Sequence, residues 1–234
     1  AETDMETPCI IPYAPRPLQW RFHQQRTRFC VLLCHRRFGK TVAAVNDLLR
    51  AALRTSRTDW RAAYAAPYLG QAKAVAWDYL RHFAGVIPGT RFHEGELRCD
   101  LPNGARIRLY GTDNAQALRG LYLDDLVLDE PAVIAVNTHT GKMFACGEEA
   151  YAMQGRAPAS IEVIRPLSKG VIADFDYACM MLRYFMQKVC AYKVIKPRAA
   201  VSVPALVTAV EQRSFMDAVY AAGARQVMLI EESM

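Results

Sequence analysis

Two short stretches hold residue types that could act on a phosphate. CHRRFGKT, Cys34 to Thr41, follows the apolar run RFCVLLC and precedes VAAVNDLLRAAL, where Val42, Val45, Leu48 and Leu49 recur at helical spacing. Strand, loop, Gly-Lys-Thr and helix is the context in which a phosphate loop works, because loop amides and the positive helix end both point at the anion. Lys40 would then bridge the terminal phosphates as a point charge, and the Thr41 hydroxyl would complete a magnesium shell. Cys34 stands where such loops usually begin with glycine. The second stretch is LVLDE, Leu126 to Glu130, an apolar strand with two carboxylates at its C-terminal end. Asp129 would hold magnesium through water and Glu130 would polarise an attacking water. Together the two stretches set the expectation of ATP and Mg2+ as ligands. Read rightward, however, VLDEPAVIAV is the start of a further strand with no catalytic content.

These residues need elements to hold them. RFCVLLC predicts a short buried strand, WRAAYAAP a second, and YLGQAKAVAWDYLRHFA an amphipathic helix. ELRCDLPNGARIRLYG reads as a hairpin whose turn takes two positive-φ residues from Asn103 and Gly104. Past Glu130 the pattern changes. EPAVIAVN and KMFACGEEA predict short strands around a Thr140-Gly141-Lys142 turn, followed by IEVIRPLSKGVIADF. Asp174 is placed to cap a helix, DFDYACMMLRYFMQKVC, with Phe175, Ala178, Leu182, Phe185 and Val189 on its apolar face. AAVSVP and VMLIEE predict strands on either side of a helix that Thr208 and Glu211 open as a capping box and Gly223 ends. Strand, helix, strand alternation predicts a parallel α/β sheet.

Composition constrains the rest. The 234 residues are 52% hydrophobic and 22% charged, with a formal charge of +6 and a pI near 9.0. That is enough chain for one large or two small domains and a mild basic balance that permits a polyanionic partner. Residues 1–130 carry 16 Arg and 2 Lys, whereas residues 131–234 carry 6 Arg and 5 Lys. This shift in usage is centred on the ambiguous stretch and suggests two origins. The seven cysteines include no C-x-x-C pair, so reduced thiols without disulfide partners are expected, and zinc lacks its spacing. With no long apolar run and no visible signal peptide, the expected location is cytoplasmic.

The segments PRPLQWRFH, VLLCHRRFGKTVAAVNDLL, YAAPYLGQAKAVAWDYL and ALRGLYLDDLVLDE resemble the N-terminal ATPase of tailed-phage terminase large subunits, which are DNA-packaging motors. The likeness spans roughly residues 11–130. It implies that Arg36 senses the γ-phosphate, that Gln19 lies on the adenine side, and that Lys40, Thr41 and Gly39 form the phosphate loop. Phe38 stands where a small residue is usual and could crowd the loop. The family's next helix, its coupling strand with Ser or Thr, and its nuclease domain are not recognisable here. The coupling strand would lie between the two motif-bearing strands, and phosphoryl transfer depends almost wholly on positioning, so weak or no hydrolysis is expected. AAVSVP, with Ser202, is a remote candidate to fill that gap.

The remainder resembles MreB, the bacterial actin homologue that organises rod-shaped wall growth. The matching pieces are VLDEPAVIAV, TGKMFACGEEA, IRPLSKGVIADFDYACMMLRYF, KPRAAVSVPALVTAVEQR and AGARQVMLIEESM. The resemblance implies a membrane-inserting loop at KVIK, with Val194 and Ile195 protruding, and a water-orienting role for Glu211, although the capping box is the better reading of that residue. Two buried side chains of this size contribute about 2 kcal/mol each at most and each flanking Lys about 1 kcal/mol, which is marginal without polymer avidity. An ordinary loop is the alternative.

The fold expected is therefore α/β: a partial P-loop (RecA-like) three-layer domain over 11–130 after a flexible 1–10, then a partial actin-like (RNase H-like) domain over 131–234. Three functional readings follow. One is an ATP-binding module with little turnover, and the second is a non-catalytic MreB-like module touching filaments or the inner membrane surface. The third is a chimaera with no evolved function. The Arg-rich first half could also meet double-stranded DNA, non-specifically and in a salt-sensitive way. At the join, Pro131 biases Glu130 to extended backbone, and extended structure is expected through 126–136 with Asp129 and Glu130 displaced from Lys40.

Overall fold

The computed structural model describes residues 9–26, 30–33, 38–113, 120–168, 171–189, 198–203 and 207–231. In chain order the elements up to the join are α1 (Pro17–Gln25), β1 (Cys30–Leu33), α2 (Lys40–Arg54), β2 (Arg61–Ala66), α3 (Leu69–Ala72), a π-helical stretch (Lys73–Trp77), α4 (Asp78–Ala84), β3 (Arg91–His93), β4 (Arg98–Asp100), β5 (Arg106–Gly111) and β6 (Asp125–Leu128). Beyond it come β7 (Ile134–Asn137), β8 (Met143–Cys146), α5 (Glu148–Ala152), β9 (Ile161–Ile164), β10 (Leu167–Ser168), β11 (Val171–Ile172), α6 (Phe175–Val189), β12 (Arg198–Val203), α7 (Ala209–Ala221) and β13 (Gln226–Glu231). Contacts divide the chain into two compact units, one of residues 1–15 and 40–129, the other of 16–39 and 130–234. Both are α/β, as the sequence predicts.

The first unit is built on a five-stranded sheet in the order β3-β4-β5-β2-β6. β2 runs parallel to both β5 and β6, with Tyr64 opposite Leu109 on one side and Val127 on the other. Its alanines are buried on both faces, which is the pattern of a central parallel strand covered by helices. Val45, Leu48, Leu49 and Ala52 of α2 and Trp77 and Leu80 of the following helical run join that core, with Ile107 and Leu109 of β5 beneath them. Trp77 is fully buried yet donates its indole N–H to Glu94 at 2.9 Å, so its polar handle is satisfied. The β4–β5 hairpin forms, but only Gly104 of its turn has positive φ. Asn103 works through its side chain instead, accepting from the Ala105 amide at 3.2 Å and donating to the Ala52 carbonyl at 2.8 Å. Three residues separate Leu101 from Ala105, so the two-residue turn that needs two positive-φ positions does not arise.

The second unit holds a parallel sheet, β1-β12-β13, and an antiparallel one, β8-β7-β9. Here the expected assignment of β1 is corrected: the strand before Gly39-Lys40-Thr41 pairs with AAVSVP and not with the sheet beside Asp129. Val31 is opposite Ala199, and it is buried with Leu182 and Met186 of α6 and Phe215 and Val219 of α7. Burial of Val31 against these helices helps to hold the four-residue β1 there. AAVSVP thus lies beside β1, while among the described residues β6 pairs only with β2. The apolar face of α6 is centred on Ala178, Met181, Leu182 and Met186, and Phe175, expected on it, is 42% exposed.

The join is not one strand. β6 ends at Leu128 in the first unit and β7 begins at Ile134 in the second, so the expectation of extended structure through 126–136 is overturned. Between them Val133 donates to the Pro131 carbonyl at 3.0 Å, a tight turn that Pro131, with its fixed φ and missing donor, favours.

Candidate nucleotide site

Lys40 is the first residue of α2 and Thr41 the second, as a phosphate loop requires. Across the first unit's sheet, Asp129 stands one residue past β6, and its amide adds a ladder bond to the Ala65 carbonyl at 2.9 Å. That bond fixes the backbone from which the carboxylate projects. The hydroxyl of Tyr64 on β2 donates to Asp129 Oδ2 at 2.7 Å. Tyr64 is 1% exposed. Burial first, and then the charge of Asp129, raise its pKa far above the ordinary phenol value. The phenol is therefore a proton donor at any physiological pH. Asp129, expected to be displaced from Lys40, is held by Tyr64 within the compact unit that also contains Lys40 and Thr41.

Glu130 behaves differently. Its carboxylate, 8% exposed, pairs with Lys188 of α6 at 2.5 Å within the second unit. Gly147 makes room for it, since a Cβ there would sit 2.6 Å from Glu130 Oε2, and the φ of +72° also favours glycine. The water-polarising role expected of Glu130 is not supported by this arrangement, because its charge is already neutralised and hydrogen-bonded elsewhere.

The other expected loop residues, Gln19, Phe38 and Gly39, belong to the second unit. The Gln19 amide nitrogen donates to the carbonyls of Phe38 at 3.0 Å and Gly39 at 3.4 Å, its oxygen accepts from the Arg16 amide at 3.0 Å, and the Arg16 guanidinium also bonds the Phe38 carbonyl. Gln19 is buried, and its amide is occupied in shaping the end of the loop. A Cβ at Gly39 would lie 2.9 Å from both Arg16 Nη2 and Gln19 Nε2. Phe38 is 2% exposed. Arg36, Val194 and Ile195 lie outside the described residues. Glu211 forms the capping box, accepting from the Thr208 amide at 2.8 Å while the Thr208 hydroxyl accepts from the Glu211 amide at 3.3 Å.

Among the described residues no cluster of three or more His, Cys, Asp or Glu could cage a metal. The Thr41 hydroxyl and one Asp129 carboxylate nevertheless suit Mg2+, a hard cation that keeps several waters and takes most of its other oxygens from phosphate. Reading the sequence alone misses Tyr64, Arg16 and Lys188. Tyr64 had a signal: it is the one hydroxyl in an otherwise alanine-only buried strand, RAAYAA, and a buried hydroxyl must find a partner.

Residues 113–234 match the family description MreB/Mbl protein. The cell shape-determining protein Mbl of Bacillus cereus is 44% identical over 108 residues, 46% of this chain and 32% of that protein. Among solved structures, the chain is similar to MreB5 of Spiroplasma citri bound to ADP (30% identity, TM-score 0.39, 44% of this chain and 30% of that one). It is also similar to the large terminase ATPase domain of Thermus phage P74-26 (23% identity, TM-score 0.43, 52% of this chain and 55% of that one). The chain spans about a third of the length of the curated relatives it matches.

Proposed function

From the premise that the chain belongs to the MreB/Mbl family through residues 113–234, we propose that it joins a partial MreB-like segment to a P-loop module that binds ATP with Mg2+ and turns it over weakly or not at all. The observation that carries the reading is that Lys40 and Thr41 open α2 in the same compact unit in which Tyr64 holds the Asp129 carboxylate. The α2 N-terminus offers amide donors and a positive dipole end to phosphates. Lys40 adds a point charge, Thr41 a metal-facing oxygen, and Asp129 a carboxylate for the hydrated cation. Weak turnover is supported by the Glu130–Lys188 ion pair, which engages the carboxylate expected to polarise water. A bound Mg2+ would neutralise phosphate charge; positioning of that charge is this chain's contribution.

Thermal stabilisation by ATP tests this reading. Wild type should melt at a higher temperature as ATP rises, and Lys40→Ala should lose that response while melting normally without nucleotide. Equal stabilisation of the variant contradicts it.

A second reading rests on the family match and the intact parallel pair β12–β13 flanking α7. It is a non-catalytic MreB-like module that meets filaments or the cytoplasmic face of the inner membrane. Co-sedimentation with MreB-like filaments or anionic vesicles in the absence of nucleotide supports it, and a chain that neither responds to ATP nor sediments fits a chimaera without evolved function. Among the described residues no helix is long and apolar enough to cross a membrane. Binding of double-stranded DNA by the Arg-rich first half would be non-specific and should vanish as salt rises.

A further inference from the structure

Tyr64 is not among the residues a phosphate loop or its acidic strand end requires, yet its hydroxyl holds the carboxylate that would face a cation. Its ring belongs to β2, which is flanked by β5 and β6, and is packed within the core formed with Val45, Trp77 and Ile107. A phenol so held is a fixed point. Its single proton is given to Asp129 Oδ2 at 2.7 Å, so the carboxylate is anchored by one oxygen and cannot rotate freely. Tyr64 and Asp129 lie in the same compact unit as Lys40 and Thr41, the first two residues of α2. The phenol proton fixes Oδ2 of Asp129 and so sets the direction of the other carboxylate oxygen.

We propose that Tyr64 is a positioning residue that orients Asp129 as a ligand for a divalent cation, so that the site prefers Mg2+–nucleotide over free nucleotide. This rests on the nucleotide reading above and adds to it the source of the metal dependence. Outer partners of metal ligands typically contribute about 10–100-fold to metal affinity, and Tyr64 is assigned an effect in that range.

The test is a titration of Mg2+ at fixed ATP, read as ATP-dependent stabilisation, beside an ATP titration in EDTA. Tyr64→Phe should need about 10–100-fold more Mg2+ than wild type for the same stabilisation, with its response in EDTA unchanged. Adding Asp129→Asn to Tyr64→Phe should cost no more than Asp129→Asn alone, since residues acting through one another are not additive. An unchanged Mg2+ requirement in Tyr64→Phe, or an equal loss in EDTA, overturns the proposal while leaving the nucleotide reading standing. A wild type that ignores ATP in both titrations overturns that reading and this one with it. Should Tyr64→Phe melt too low to titrate, p-aminophenylalanine at position 64 keeps the ring but offers Asp129 a weaker para donor. It should raise the Mg2+ requirement several-fold, and an unchanged requirement again overturns the proposal.

Discussion

Asp129 and Glu130 share a peptide bond but belong to different compact units: Asp129 accepts the Tyr64 hydroxyl in the first, and Glu130 pairs with Lys188 in the second. An acidic pair that reads as one catalytic feature in sequence is thus divided in space. One carboxylate stays with the phosphate-loop helix. The other serves as a structural anion.

Glu130 should matter to stability more than to chemistry. Lys188→Met removes the partner of a largely buried carboxylate. Such losses reach about 3–5 kcal/mol when both groups are buried, and the partial exposure of Lys188 reduces this to roughly 1–3 kcal/mol. Gly147→Ala should be more damaging, because it adds backbone strain to a contact of 2.6 Å with Glu130. Glu130→Ala in the same chain should restore part of that loss. Urea denaturation of the four chains checks this ordering, and Gly147→Ala matching wild type would contradict it.

The capping box should make α7 acid-sensitive. Hydrogen bonds from the Thr208 side chain and backbone hold the Glu211 carboxyl below its usual value of 4.5. A depressed carboxylate pKa contributes stability that is present above the unfolded value and lost as pH falls through the folded one. Thr208→Ala should cost about 1 kcal/mol at neutral pH, and the difference from wild type should shrink below pH 4.5. Melting curves between pH 3 and pH 7 report it as a convergence of the two proteins in acid. A gap that widens on acidification would contradict the assignment.

The thiols should react in an order set by burial. Cys9 is exposed, whereas burial pushes the thiols of Cys99 and Cys146 up to about 12. Iodoacetamide at mildly alkaline pH should modify Cys9 first and leave Cys99 and Cys146 until unfolding, as peptide mass spectrometry will show. Because a raised thiol pKa favours the protonated folded form, stability from these two residues is present below pH 9 and falls as pH climbs towards 12. Early modification of either buried thiol in the folded protein would contradict this.

Much of the architecture is legible in local patterns. The spacing of Val45, Leu48 and Leu49 gives α2, the alternation in RIRLYG gives β5, and Thr208 with Glu211 gives the start of α7, because each depends on neighbours in sequence. What sequence misplaces is long-range. The four residues of β1 are apolar on both faces and would suit either sheet, so nothing local decides that they join β12. The join misleads for a similar reason: VLDEPAVIAV alternates well enough to suggest one strand, and only the turn at Pro131 separates β6 from β7. Tyr64 escapes because its partner, Asp129, lies 65 residues after it. Lys188 escapes because a lysine on a helix face is usually solvated, and here its partner is 58 residues away.

The division of Asp129 from Glu130 is tested most directly by comparing Asp129→Asn with Glu130→Gln in one assay of Mg2+-dependent ATP stabilisation and phosphate release, with and without double-stranded DNA. The account predicts that Asp129→Asn loses the Mg2+-dependent part of the stabilisation, that Glu130→Gln keeps it, and that phosphate release is weak and unaltered by DNA or by Glu130→Gln. Strong DNA-stimulated phosphate release that disappears in Glu130→Gln would contradict it, because Glu130 would then be acting on water and not holding Lys188.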